Sequence, residues 1–374
     1  MAKTRLCVDV NNGQISGVLV KVSKKGIRAI KSFTIDNHGY NFYNGCIYEV
    51  ENIADEIKFE LNRKRIYAKE VVVCVNHQDI LFEEAVVPVT TNGIYKEHTN
   101  RLETRAKRES KTSIKVSYLK NQVLIDTSNM ANILTVIIPQ HVLDRCQSLA
   151  SYLNMKLVGI ADSGCAACIA YGQQHYNKSF VVDLREDGTY IYFMDNGHIR
   201  AKEYIPFKSA NIVGLVKKHR TGESFISAVN ILHKDMIILT AQRQSNDAYQ
   251  KLGSESYEQV TNLSKMIDLT IQKILGMLHS DFQAVELTGL GASFSGINKA
   301  LEQKLGVPVT TISKNKLSVD CSEIKGEKYY ISQIHDVIAA SALPAANLLW
   351  IDGHTIGTGN SLLDKIYRFF FGEQ

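Results

Sequence analysis

Three short segments hold polar residues at places where a folded backbone could bring them to one point. Asp9 closes the apolar run Leu6-Cys7-Val8, and the polar turn Asn11-Asn12-Gly13 leads into a second apolar strand reaching Val20. Asp183 closes Phe180-Val181-Val182 in the same way, and Arg185-Glu186-Asp187-Gly188 precedes Thr189 and a strand to Phe193. The third segment, Thr288-Gly289-Leu290-Gly291-Ala292-Ser293, joins an apolar strand to a helix. Glycine supplies the positive φ of a tight turn, and the exposed backbone N–H groups of such turns and of helix N-termini attract anions. Carboxylates at strand ends beside a bound phosphate act through magnesium and water. The pattern therefore assigns phosphate contacts to Asp9, Asn11, Asn12, Gly13, Asp183, Gly188, Thr189, Gly289, Gly291 and Ala292, with Asp9 and Asp183 as metal ligands. Two such hairpins opening two halves of one chain predict a duplicated fold that closes on a ligand from both sides.

The elements that would position these residues follow from hydrophobic period. A meander runs from Leu6 through Ile27 to Ile35 and Gly45 to Val50, followed by a helix over Ile53 to Leu61 and a buried strand from Glu70 to Val75. The texture then changes. Strand Ile80 to Val87, ending at Pro88, leads to a polar helix from Asn92 to Ser113. Strands Lys115 to Tyr118, Gln122 to Asp126 and Ala131 to Ile138, a helix His141 to Leu153, and a closing strand Leu157 to Ile160 complete a unit of about 80 residues, the size of a small α+β subdomain. The second half continues from the Asp183 hairpin to a strand from Ile199 to Pro206. The stretch Ala210 to Gln250 is ambiguous, with an apolar rhythm over Phe225 to Leu232 and a strand-like Met236 to Leu239. A long helix over Ser256 to Met277, a strand Ala284 to Leu287, a helix from Ser295 to Leu305, a strand Val307 to Thr310 and a small-residue helix Asp336 to Leu343 follow. The implied division is 1–78 with 160–178 and 330–350 as first-half core, and 79–159 as insertion. The second half is 179–329, with a small subdomain near 210–255, and 351–374 is a tether and terminal helix.

In this order of elements the chain resembles the superfamily of actin, sugar kinases and heat-shock chaperone ATPases. More narrowly it is similar to the PilM-like proteins of type IV pilus machines, with FtsA-like division proteins more distant. The narrower likeness rests on the inserted unit: Ile80 to Pro88, Asn92 to Ser113, Ala131 to Pro139, Val142 to Leu153 and Leu157 to Asp162. The resemblance implies an α/β, actin-like duplicated (ribonuclease-H-like) fold with an inserted small α+β subdomain. It also implies ATP with Mg²⁺ as cofactor, a bacterial protein on the cytoplasmic face of the inner membrane, and a PilN-like membrane protein whose cytoplasmic tail lies between the first-half core and the insertion.

The loops depart from the superfamily pattern. Asn11 stands where the first loop has glycine and Ser16 where it has lysine, while Arg185 replaces the glycine of the second loop. A side chain where a phosphate meets bare backbone is a steric objection, although its charge could favour an anion. These departures argue for a scaffold with degenerate nucleotide loops rather than an efficient ATPase. The alternatives are an active ATP-hydrolysing actin-like protein and an FtsA-like membrane anchor.

Bulk properties exclude other classes. The 374 residues include 45% hydrophobic side chains, enough for two cores, and 43 Lys and Arg against 38 Asp and Glu give a net charge of +5, without the clustered basic and aromatic residues of nucleic-acid binding. Ala2-Lys3-Thr4-Arg5 passes directly into a strand, so no leader is expected. Seven cysteines, mostly within apolar elements, read as reduced buried thiols, the pair Cys165 and Cys168 included. At ~100° per residue, Leu362, Leu363, Ile366, Tyr367, Phe369 and Phe370 share one helical face after a glycine-rich tether, a face suited to a membrane surface or a partner.

Overall fold

The computed structural model describes residues 3–11, 14–23, 26–36, 42–43, 46–88, 94–109, 114–118, 124–125, 130–171, 176–235, 247–312, 320, 323, 350–351 and 354–355. In the first half, β1 (Lys3–Val10), β2 (Gln14–Ser23) and β3 (Gly26–Asp36) form an antiparallel meander. The two-residue strands β4 (Phe42–Tyr43) and β5 (Cys46–Ile47) and helix α1 (Val50–Arg63) lead to β6 (Glu70–Val75), which pairs parallel with β1. Strand β7 (Leu81–Pro88), helix α2 (Ile94–Glu109), and strands β8 (Ile114–Tyr118), β9 (Leu124–Ile125) and β10 (Met130–Pro139) make a separate sheet in the order β7-β10-β8, with β9 paired to β10. Helix α3 (Gln140–Tyr152), strand β11 (Lys156–Asp162) and helix α4 (Ser163–Tyr171) return the chain to the first sheet, whose order is β11-β6-β1-β2-β3.

The second half repeats this plan. Strands β12 (Lys178–Leu184), β13 (Thr189–Asp195) and β14 (His198–Ile205) form the meander, and helices α5 (Ser209–His219), α6 (Phe225–Lys234) and α7 (Asp247–Leu278) follow. Strand β15 (Ala284–Thr288) pairs parallel with β12, and after a 3₁₀ turn at Leu290–Ser293 and helix α8 (Ile297–Leu305), β16 (Val309–Thr311) pairs parallel with β15. The order β14-β13-β12-β15-β16 matches the first sheet strand for strand: a three-stranded meander, then two parallel strands. A short hairpin pairs β17 (Trp350–Ile351) with β18 (His354–Thr355).

Side-chain alternation explains how the halves join. Phe180, Val182 and Leu184 of β12 and Ile191 and Phe193 of β13 face a core shared with α5 to α8. The intervening Val181, Tyr190, Tyr192 and Met194 belong instead to one continuous core with β1, β6, α3, α4 and β11. A strand with both faces buried reads as an unbroken apolar run, which is why β12 carries no polar residue between Ser179 and Asp183. The halves therefore share apolar packing across their junction, and burial at about 25 cal/mol per Å² opposes their separation.

Some elements differ from the sequence expectation. Leu157 to Ile160 does not close the inserted unit: it lies within β11, which pairs parallel with β6, and α3 packs on α1. A lone apolar strand carries no address; here β6 pairs with its backbone and both its faces are buried from Leu157 on. Val50 starts α1 rather than ending a strand, because Val50, Ile53, Ala54, Ile57 and Leu61 are the buried helical face. Ala210 to Gln250 holds α5, α6 and the start of α7, while Met236 to Leu239 lies outside the described residues. So do Asn12, Gly13, the helix expected at 336–343 and the amphipathic 361–374. Among the described residues, no helix is long and apolar enough to cross a membrane.

Gly17 shows how tightly the first sheet is built. It lies directly opposite Phe33 in the β2–β3 register, and a Cβ there would meet the Phe33 ring at 2.1 Å. Phe33 is 1% exposed and has no open side to move into. Gly17→Ala is expected to destabilise the chain by about 2 kcal/mol in urea unfolding, and Phe33→Leu in the same chain to return part of the loss.

Candidate functional site between the two halves

Asp9 sits at the end of β1 and Asp183 at the equivalent point of β12, both fully buried. The pairing Asp9 with Ser16, together with the two-residue period of strands, puts Asp9, Asn11, Gln14 and Ser16 on one face of the first hairpin. Arg185 enters this space from the β12–β13 turn and is 2% exposed. Its Nε donates to Asp183 Oδ2 at 2.7 Å and its Nη1 to Asp9 Oδ2 at 3.2 Å. Nη1 also donates to Asn11 Oδ1, while Asn11 Nδ2 donates to Asp9 Oδ2 at 3.0 Å. Ser163 Oγ donates to Asp9 Oδ1 at 2.7 Å, and Asn76 Nδ2 to Asp183 Oδ2 at 3.1 Å. One guanidinium thus bridges the two aspartates that the sequence proposes as metal ligands.

The turn that carries Arg185 is itself anchored. Its backbone N–H donates to Gly188 O at 3.0 Å, and its carbonyl accepts from Ser209 N at 2.9 Å and Ser209 Oγ at 2.7 Å, at the start of α5. Gly188 is covered by Tyr204, whose ring a Cβ would meet at 2.5 Å, and Thr189 Oγ1 donates to Phe207 O at 2.9 Å. The glycine turn lies against the same strand end. Gly289, at φ +81, would place a Cβ 2.5 Å from Asp183 Oδ1 and 2.6 Å from Leu184 O, and Gly291 would place one 2.8 Å from Leu184 Cβ. Both glycines serve close packing on β12, and the Ala292 N–H is taken by Gly289 O at 3.2 Å.

Among the described residues, this arrangement leaves no place for a magnesium ion between Asp9 and Asp183. The position between the carboxylates is filled by a cation that belongs to the chain, and the glycine turn lies on Leu184 with no layer of space between them. Nor does the Arg185 charge remain for an anion, as its sequence position allowed, because two carboxylates neutralise it. Burial pushes the Asp183 carboxyl above its ordinary range, the Arg185 guanidinium pulls it down, and the Asp9 charge pushes it up again.

Beyond Asn76 the polar chain continues. Lys202 of β14 is 3% exposed at its side chain and donates to Asp162 Oδ2 at 2.6 Å and to Asn76 Oδ1 at 3.2 Å. Its ammonium lies 4.8 Å from the Tyr190 ring centre and 5.5 Å from that of Phe82 on β7. Tyr192 Oη donates to Asp162 Oδ1 at 2.7 Å. Arg200 pairs with Glu84 at 2.9 Å, so the inserted sheet is tied to the second half as well as the first. His77, next to Asn76, accepts the Asp79 N–H on Nδ1 at 3.1 Å, and burial lowers its pKa to about 4. Asn76 and Asp162 end buried strands just as Asp9 and Asp183 do, so the same reading of strand ends identifies them. Lys202 has no such signal. Burial pushes the thiols of Cys165 and Cys168 well above the usual range, which makes them inert packing groups.

No family model matches the chain, and no curated protein sequence matches it. Its similarity is structural. A chain of the PilM–PilN type IV pilus biogenesis complex superposes with a TM-score of 0.70 at 13% identity, covering 90% of this chain and 97% of that one. The fold is that of the actin-like ATPases. MreB5 of Spiroplasma citri bound to ADP superposes at a TM-score of 0.51 and 10% identity, over 92% of this chain and 96% of that one. The ethanolamine utilization protein EutJ from Carboxydothermus hydrogenoformans gives 0.50 at 13% identity, over 90% and 89%. The two sheets described above are the duplicated halves of this actin-like fold, and Arg185 lies at their junction.

Arg185→Met leaves two buried carboxylates without their cation, with an expected loss of about 3 to 5 kcal/mol in urea unfolding. Asp9→Asn and Asp183→Asn added to it should recover most of that loss. Because the folded-state pKa of Asp183 is already raised and rises further without the guanidinium, the single variant gains stability relative to wild type as pH falls toward the unfolded carboxylate value of about 4. His77 behaves oppositely. Its folded pKa lies below its unfolded value of about 6.5, so its neutral state is lost to the unfolded chain as pH falls from about 6.5 to about 4. His77→Asn should flatten that part of the stability profile in pH-dependent melts.

Proposed function

We propose that this chain is an actin-like scaffold of a type IV pilus assembly machine. It stands on the cytoplasmic face of the bacterial inner membrane and docks the cytoplasmic tail of a PilN-like membrane protein. Its two halves are clamped by its own Arg185 instead of by a nucleotide, and that guanidinium is the observation that carries the reading. An arginine held by two carboxylates and an asparagine cannot leave its site without exposing buried charge, so nucleotide exchange does not drive this fold. The likeness to a chain of the PilM–PilN complex supports the choice of machine and partner. The inserted sheet β7-β10-β8 supports the mode of docking, because an extended peptide can add main-chain hydrogen bonds at a sheet edge and seat alternate side chains in pockets.

Two titrations test the proposal. Mg·ATP titrated calorimetrically into the purified chain should give no heat of binding and no turnover. Micromolar binding with hydrolysis, lost on Asp183→Ala, would establish the rival actin-like ATPase. A synthetic peptide of the tail of a PilN-like protein from the same genome should bind with or without ATP present, and a tail that binds only with ATP would sink the nucleotide-independent reading.

A further inference from the structure

An open groove lies at the far end of the first-half sheet. Strands β1, β6 and β11 are parallel, with Asp9 and Asp162 at one end and Thr4, Glu70 and Lys156 at the other, about 17 Å away along β1. At that far end α1 and α3 stop in the same way. Ile66 N–H bonds Leu61 O at 2.8 Å and Met155 N–H bonds Ala150 O at 3.0 Å, with Arg65 (φ 52) and Asn154 (φ 55) in the left-handed conformation. These are paired Schellman stops, which turn the residue after the left-handed one back onto the helix. Ile66 and Met155, with Leu61 and Leu153, accordingly form the apolar floor of an open groove of about 960 Å³.

The rim is basic and aromatic. Tyr67 is 77% exposed and lines the groove with Lys69 and with Lys58, whose ammonium is paired with Asp55 at 3.1 Å. Glu70 is the one carboxylate among the described lining residues, and Arg5 neutralises it at 2.8 Å. Exposed Arg65 and Lys156 flank the floor residues in sequence. Lys31 Nζ donates to the Lys64 and Arg65 carbonyls at 3.2 and 2.9 Å, so the end of α1 already has its own counter-charge and does not consume the rim cations.

We infer that this groove docks an acidic, amphipathic protein segment that seats an apolar side chain on Ile66 and Met155, under Tyr67, and places its carboxylates against Lys69, Arg65 and Lys156. The surface is concave, which suits an inserted side chain and not the plane of a lipid bilayer. A scaffold with one port at the insertion and another at the opposite end of the sheet can hold two partners at once.

The probe is a synthetic peptide of about 16 residues with Leu at i, i+3, i+4 and i+7 and Glu at most other positions, followed by fluorescence anisotropy on the full chain. It should bind, weaken at least about tenfold on Tyr67→Ala and on Lys69→Glu, and weaken further in high salt, while its Lys-for-Glu counterpart should not bind. Both substituted side chains are exposed, so thermal melts of the variants should match wild type. No binding, or equal binding by the variants, overturns the inference. So does uptake of the chain by phosphatidylserine vesicles that Lys69→Glu abolishes, which would assign the surface to lipid. The groove lies at the opposite end of the sheet from Arg185, so peptide binding and the Mg·ATP titration test the two proposals independently.

Discussion

The bridge from Arg185 to Asp9 and Asp183 is the constraint around which the junction is built. Three charges taken out of water would be costly alone, and two carboxylates on one guanidinium still leave a surplus negative charge. The surrounding donors answer that surplus: Asn11 and Ser163 on Asp9, Asn76 on Asp183. Each of these sits at the end of a strand or the start of a helix, beside the aspartate it serves. The register of both hairpins is therefore fixed by electrostatics at their tips as well as by apolar alternation along their length.

The same economy of buried charge extends the junction outward. Asn76 donates to Asp183 through Nδ2 and accepts from Lys202 through Oδ1, so one amide joins the Arg185 cluster to the Lys202–Asp162 pair. Phe82 of β7 reaches this second cluster and meets Tyr192 edge-on at 6.3 Å. First half, second half and insertion thus meet around two buried cations and a set of aromatic rings. Separating these three parts would cost both buried cations a carboxylate partner, which opposes opening at the junction.

Much of the architecture was legible in the sequence. The paired Asp hairpins, the glycine turn and the long helix near Ser256 depend on local periodicity and turn chemistry, which act within a few residues. Boundaries failed where a decision was not local. Leu157 to Ile160 reads as a strand in any context, but its partner β6 is about 86 residues earlier in the chain, Leu157 pairing with Val71, and only the fold makes that edge available. Val50 looked like strand because its helical period becomes visible only with Ile53, Ala54 and Ile57 behind it.

By itself the sequence indicated two similar halves, each with an apolar strand closing on an aspartate and, in the second, an arginine two residues after it. Residue type and spacing are enough for that, since they set turn geometry and strand ends. Only the tertiary structure decided what the arginine does. From Asp183 alone it could have pointed to solvent, to an anion or to a metal site. Asp9 comes within reach only when the second hairpin is folded against the first, and a distance between residues 9 and 185 is written in packing, not in the order of the chain.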